Sequence, residues 1–192
     1  MDEKKAFFVI GHKVQGYEKA IIDIYQVHGY VTLPTSNLYA FTIERSRNLM
    51  HNSSKIGMII PISAFANNSM KELSCLFKNE FGRLYISTYH QRPAQLFDGV
   101  LQRLSIFLTD KNKSNRCVFT TGIYRWYTEN RNTLFQTINY IETPQEHQSH
   151  FVKLGTDLEV GIFSKYIRNA PISHYVGVTA NPENSLYYRT AG

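Results

Sequence analysis

The stretch K-I-G-M-I-I-P-I at residues 55–62 decides how the chain is read. A short, unbroken apolar run of this kind is a strand buried in a layered sheet. Pro61 cannot donate a ladder hydrogen bond, so the strand ends there or sits at an edge. Upstream, residues 37–50 form a helix capped by Asn37. Leu38, Phe41, Arg45 and Leu49 share one face, and Tyr39, Ile43 and Met50 widen the apolar stripe. Further upstream, A-F-F-V-I at 6–10 reads as another buried strand. Residues 17–28, with Ala20, Ile21, Ile24 and Val27 on one side, read as a helix before a turn containing Pro34. Downstream, Ser69 and Glu72 have capping-box spacing in front of Leu73, Leu76 and Phe77, which predicts a helix ending near Gly82. Residues 83–88 and 103–109 are two further strands joined by a polar loop without helical pattern. A hairpin suits that connection better than a crossover and gives the sheet an antiparallel edge. Strands alternating with helices imply an α/β layered fold.

Past residue 116 the pattern changes. Residues 128–141 predict an amphipathic helix through Leu134, Phe135, Ile138 and Ile141. Thr156 and Glu159 form a second capping box, opening a helix with Leu158, Ile162, Phe163 and Tyr166. The tail at 174–192 is aromatic, rich in turn residues and strand-like. The expected organisation is therefore an α/β domain over 1–116 and a helical extension over 117–192.

Bulk properties narrow the function classes. The chain has 192 residues and 43% hydrophobic content, enough for a buried core. No run approaches the roughly 18 apolar residues of a membrane span. The N-terminus begins with charges and lacks a secretory pattern, so a cytoplasmic address is expected. A net charge of +6 suits a polyanionic partner, nucleic acid first, although the basic residues are scattered as on an ordinary solvated surface. Cys75 and Cys117 stand far apart, which excludes a zinc knuckle or a C-x-x-C redox pair. His147 and His150 lack further ligands nearby, so no metal is expected. There is no Ser-His-Asp elbow, no telling carboxylate pair and no P-loop.

Several ordered pieces carry a resemblance. They are N-L-Y-A-F-T-I-E-R-S-R-N-L-M at 37–50, K-I-G-M-I-I-P-I-S at 55–63 and Q-L-F-D-G-V-L-Q-R-L-S-I-F-L-T at 95–109. Y-R-W-Y-T-E-N-R-N-T-L-F at 124–135 and L-Y-Y-R-T-A-G at 186–192 follow them. In this order the chain resembles the C-terminal half of the catalytic domain of adenine-N6 DNA methyltransferases, in particular the fused type IIG restriction–modification enzymes. The resemblance implies a partial S-adenosylmethionine-dependent methyltransferase sheet, Rossmann-like, ending in an antiparallel hairpin that corresponds to motif VIII. In such enzymes an adenine is flipped into a pocket and its N6 amine attacks the cofactor's methyl sulfonium.

The same resemblance exposes what is missing. No glycine-rich loop follows a strand, so S-adenosylmethionine is expected to need a complete enzyme and not to bind this chain alone. The N-P-P-Y type motif that accepts the amine is absent. F-F-V-I-G followed by H-K-V-Q and G-Y-E-K places His12, Lys13, Val14 and Gln15 at its position. Alternatively, residues 1–16 are unrelated sequence. Either route predicts no independent methyl transfer.

Phe97, in L-F-D-G, stands where motif VIII supplies an aromatic against the flipped base; its plain alternative is to anchor the loop. Arg92, Arg103, Lys111, Lys113 and Arg116 surround the same hairpin and are expected to meet phosphates, or else to form a solvated rim. Tyr124, Arg125 and Trp126 interleave rings and charge in a way that suits nucleic acid, although a lone Trp more often anchors a core. With the sequence stopping at Gly192, target-sequence reading is expected to be missing as well.

The resulting expectation is a fragment or split subunit of a restriction–modification methyltransferase. Its partners would be DNA and a separate chain carrying the N-terminal half. An exposed sheet edge also permits self-association. The alternative is a non-catalytic remnant that binds DNA or protein.

Overall fold

The computed structural model describes residues 26–112, 114–144 and 150–170. The expected strand at 6–10, the motif position at 12–15, most of the helix at 17–28 and the tail at 174–192 lie outside the described residues. The chain divides into two compact units, Met1–Thr156 and Asp157–Gly192.

Helix α1, Leu38–Leu49, starts as read: Asn37 is extended and its side chain accepts from the Tyr39 N–H at 3.2 Å. The buried face is rotated from the expected one. Ala40, Phe41, Ile43 and Glu44 face inward, whereas Leu49 is exposed. Glu44 sets this rotation. Its buried carboxylate accepts from the Val31 and Thr32 N–H groups and from the Thr32 hydroxyl, at 2.9, 2.8 and 2.6 Å. The helix is thereby tied to the 3₁₀ turn Leu33–Thr35 just before it.

Strand β1, Lys55–Pro61, ends at the proline. Only Ile60 is fully buried, and Lys55, Gly57 and Ile59 are exposed. β1 lies at the edge of the sheet among the described residues, in keeping with Pro61, and its exposed residues correct the expectation of a buried strand. A short helix α2, Ser63–Ala66, and a 3₁₀ turn, Asn68–Met70, lead into helix α3, Lys71–Glu80. Asn67 accepts from the Ser69 N–H at 3.1 Å and caps the 3₁₀ turn, so Ser69 does not open α3 itself. Leu73, Leu76 and Phe77 are buried as the stripe predicts.

β2, Leu84–Tyr89, and β3, Leu104–Asp110, form the expected antiparallel pair, with Leu84 opposite Thr109 and Tyr89 opposite Leu104. β3 also pairs antiparallel with β1, from Lys55–Asp110 to Pro61–Leu104. It is therefore a central strand and not the antiparallel edge. A fourth strand, β4 at Val118–Tyr124, runs parallel to β2, and a fifth, β5 at Ile141–Glu142, pairs antiparallel with β4. The order is β1-β3-β2-β4-β5. The described residues thus form an α/β structure with a mixed five-stranded sheet and four α-helices.

The helix expected at 128–141 is absent. A 3₁₀ turn at Thr128–Asn130 and a run of turns stand in its place, and Ile141 enters β5. Asn130, Asn132, Thr133, Thr137 and Asn139 supply poor helix formers. The Thr133 and Thr137 hydroxyls bond backbone carbonyls instead. Helix α4, Asp157–Ile167, forms in the second unit as its pattern predicts. Among the described residues no helix is long and apolar enough to cross a membrane.

Side chains alternate across the sheet. Ile86 and Phe107 join the main core with Phe65, Phe77, Phe81 and Phe151, whose rings meet at centroid distances of 5.0–6.2 Å. Ile106, the neighbour of Phe107, faces the other way. It packs on a second cluster of Tyr89, Ala94, Trp126 and Leu134.

Candidate nucleic-acid interface

Because β1 and β2 are both antiparallel to β3, and β4 is parallel to β2, three strands run the same way. Their carboxyl ends, at Pro61, Tyr89 and Tyr124, share one end of the sheet with the start of β3. In open α/β sheets that end is where ligands bind. Here it is built from the loop between β2 and β3 and the segment after β4.

The loop is held from beneath at several points. His90 N–H donates to the Tyr124 carbonyl at 2.8 Å, and Ala94 N–H to the Trp126 carbonyl at 3.1 Å. Arg92 N–H donates to His90 Nδ1 at 3.1 Å. The Arg131 guanidinium donates to the carbonyls of Leu96 at 2.8 Å and Gln95 at 3.4 Å, and lies 5.7 Å from the Trp126 ring centroid. Beyond these anchors the chain turns at Phe97, with Val100 N–H donating to the Phe97 carbonyl at 3.2 Å. Gly99 occupies the turn with φ +77°, a conformation that favours glycine. Ala94 and Leu96 pack into the second cluster with Trp126, while the Phe97 ring is 46% exposed. The loop is anchored by its neighbours, and Phe97 is displayed.

Arg92 and Arg103 are exposed at this same end. Lys111 and Arg116 are not beside them. They follow the far end of β3, about 20 Å away at the usual strand rise over seven residues. Lys111 Nζ donates to the Met50 carbonyl at 2.8 Å, and Arg116 to the Asn79 carbonyl at 2.7 Å. Lys111 also lines an open cleft of about 700 Å³ with His51, Lys55 and Asp110. The structure therefore splits the expected basic cluster into two ends of the sheet. Lys113, and His12, Lys13, Val14 and Gln15, lie outside the described residues.

Trp126 is a core anchor, 4% exposed, and Tyr124 stacks on Tyr89 at 5.8 Å. Tyr124 Oη also accepts from the Asn139 N–H at 2.8 Å. Burial pushes the Tyr89 hydroxyl up to about 12 and raises that of Tyr140, so both rings are neutral wherever the protein is folded at ordinary pH. Around this core, Arg125, Tyr127 and Phe135 are exposed. Sequence reasoning passed over Tyr127 and Phe135, because the helix pattern assigned Phe135 to an inward stripe. It missed Arg131 altogether, because its partners are carbonyls 35 and 36 residues away. Among the described residues no group of three His, Cys, Asp or Glu side chains is placed to hold a metal.

No family model and no curated protein matches the chain. Solved structures do share its fold. A nuclease-deletion mutant of the type ISP restriction–modification enzyme LlaGI, in complex with a DNA substrate mimic, matches with a TM-score of 0.50 and 15% identity over 74% of this chain. A chain of the DrdV–DNA complex matches with a TM-score of 0.52 and 8% identity over 72% of it. In each case the match covers 16% of the other chain, so this sequence is similar to one part of a much longer protein.

Proposed function

We propose that this chain is a fragment or split subunit of an adenine-N6 DNA methyltransferase of a restriction–modification system, and that it transfers no methyl group alone. The observation that carries the reading is the fold shared, over 74% of the chain, with part of a restriction–modification enzyme solved on a DNA substrate mimic. The motif order over 37–110 supports the same assignment from the sequence side. The hairpin that displays Phe97 supports a place for that ring against a base, and the exposed Arg92 and Arg103 support contacts to phosphates beside it.

The reading that the S-adenosylmethionine site belongs to another chain is supported by the loops at the carboxyl ends of the strands. The connections after β1, β2 and β4 hold two isolated glycines, Gly82 just before β2 and Gly99 in an exposed turn, and so no glycine-rich loop. A cofactor half on another chain fits the free edge of β1, which has no strand partner among the described residues and exposes Gly57 and Ile59. The same edge would serve self-association. The substitution of H-K-V-Q for the catalytic motif favours a second reading, a non-catalytic remnant that binds DNA or protein.

Calorimetric titration tests the first reading. The isolated chain should give no heat with S-adenosylmethionine, whereas micromolar binding would overturn the assignment of the cofactor site to a missing half. A gene directly upstream that encodes strands with a glycine-rich loop would favour the split subunit; its absence would favour the remnant.

A further inference from the structure

The loop end of the sheet displays more aromatic surface than one base-stacking ring requires. Phe97 is 46% exposed, Tyr127 64% and Phe135 59%. Three independent ties bring these residues to one rim. Ala94 is bonded to Trp126, next to Tyr127. Arg131 bridges the carbonyls of Gln95 and Leu96, next to Phe97. Leu134 is buried against Tyr89 and Ala94, and the Phe135 ring lies edge-on to Tyr89 at 6.2 Å. Exposed arginines stand among them at Arg92, Arg103 and Arg125, against the acidic residues Asp98 and Glu129. Arg131 is occupied with the loop and acts as a positioning residue.

Rings between arginines suit one class of polyanion. A duplex hides its base faces inside the stack, so it can use the arginines and not the rings. An unpaired strand offers both its phosphates and its π-faces. We infer that the rim formed by Phe97, Tyr127 and Phe135 binds an unpaired stretch of a DNA strand, with Tyr127 and Phe135 as stacking platforms beside Phe97. This inference deepens the DNA-binding part of the proposed function and rests on it.

Fluorescence anisotropy with a labelled oligothymidine, and with its duplex on oligoadenine of equal length, tests it on the full chain at one low salt concentration. The single strand should bind about tenfold tighter than the duplex. Tyr127→Ala and Phe135→Ala should each weaken single-strand binding by between about five- and a hundredfold, the range for one lost base stack. Tyr127→Phe should restore it, because the ring and not the hydroxyl is used. Unchanged emission from the buried Trp126 shows that each variant is folded. Equal or tighter duplex binding, or alanine variants that hold the single strand as well as wild type, would overturn the inference and leave phosphate-directed DNA binding standing. Binding to neither strand would overturn both. Self-association lost on Tyr127→Ala would then identify the rim as a protein contact.

Discussion

Replacing Glu44 with alanine should destabilise the protein by about 2–4 kcal/mol. The carboxylate is 5% exposed and, among the described residues, accepts from two backbone N–H groups, Val31 and Thr32, and from the Thr32 hydroxyl. Thr32 is itself fully buried, so water cannot replace the lost partner there. Each stranded buried donor costs about 1–3 kcal/mol. Relief of the carboxylate's own desolvation offsets part of that sum. The net loss is a large share of the roughly 5–15 kcal/mol that holds a domain together. Glu44→Gln should cost less, about 1–2 kcal/mol, because one carbonyl still accepts while the amide turns donors toward donors. Urea unfolding followed by the emission of Trp126, the sole tryptophan, measures both. With a slope of about 1–3 kcal/mol per molar urea, the alanine midpoint should fall by roughly 1–2 M. An alanine variant that unfolds at the wild-type midpoint would refute the argument that Glu44 orients α1. So would a glutamine variant clearly less stable than alanine.

Arg131→Ala removes the bridge to Gln95 and Leu96 and the stack on Trp126, costing about 1–2 kcal/mol locally. Hydrogen exchange at residues 95–100 should quicken and the urea midpoint should fall by about 0.5–1 M, and Arg131→Lys should not restore protection, because one ammonium cannot reproduce the planar fork. Tyr89 makes the protein alkali-sensitive. Burial raises its hydroxyl from 10 to about 12, so the folded state holds that proton more tightly than the unfolded chain. The stability it supplies is complete below pH 10 and is lost as pH rises through about 12. Tyr89→Phe should flatten the fall in stability over that window without abolishing it, since the Tyr140 hydroxyl is raised as well. Denaturant midpoints measured across the window check the slope.

What was legible in the sequence was local. Asn37 announces α1 because a cap acts within its own turn, and Leu73, Leu76 and Phe77 announce α3 because its buried face repeats at the helical period. The hairpin of β2 and β3 followed from a loop without helical pattern. The misses are non-local. β4 has strand composition, V-F-T-T-G-I-Y, but its partner β2 lies 34 residues away with another strand between. The pattern at 128–141 has helical period, yet its asparagines and threonines weaken the helix, and the second cluster takes Leu134 for its own. The rotation of α1 depends on a carboxylate 12 and 13 residues from its partners. For the site, the sequence placed Phe97, Arg92 and Arg103 in the one loop between β2 and β3, because membership of a loop is a local property. Lys111 and Arg116 were wrongly grouped with them, because closeness in sequence does not show that a strand's length separates them.

The central claim is that the carboxyl end of this sheet meets DNA phosphates. It is tested most directly by the salt dependence of duplex binding for the wild type and for the Arg92→Ala, Arg103→Ala double variant. Counterion release makes the logarithm of affinity fall linearly with the logarithm of salt, by about 0.9 per phosphate contacted. The account predicts weak, sequence-independent binding with a steep slope, made shallower by about one unit for each arginine removed. Absence of binding at low salt, or a slope unchanged by the double variant, would contradict it.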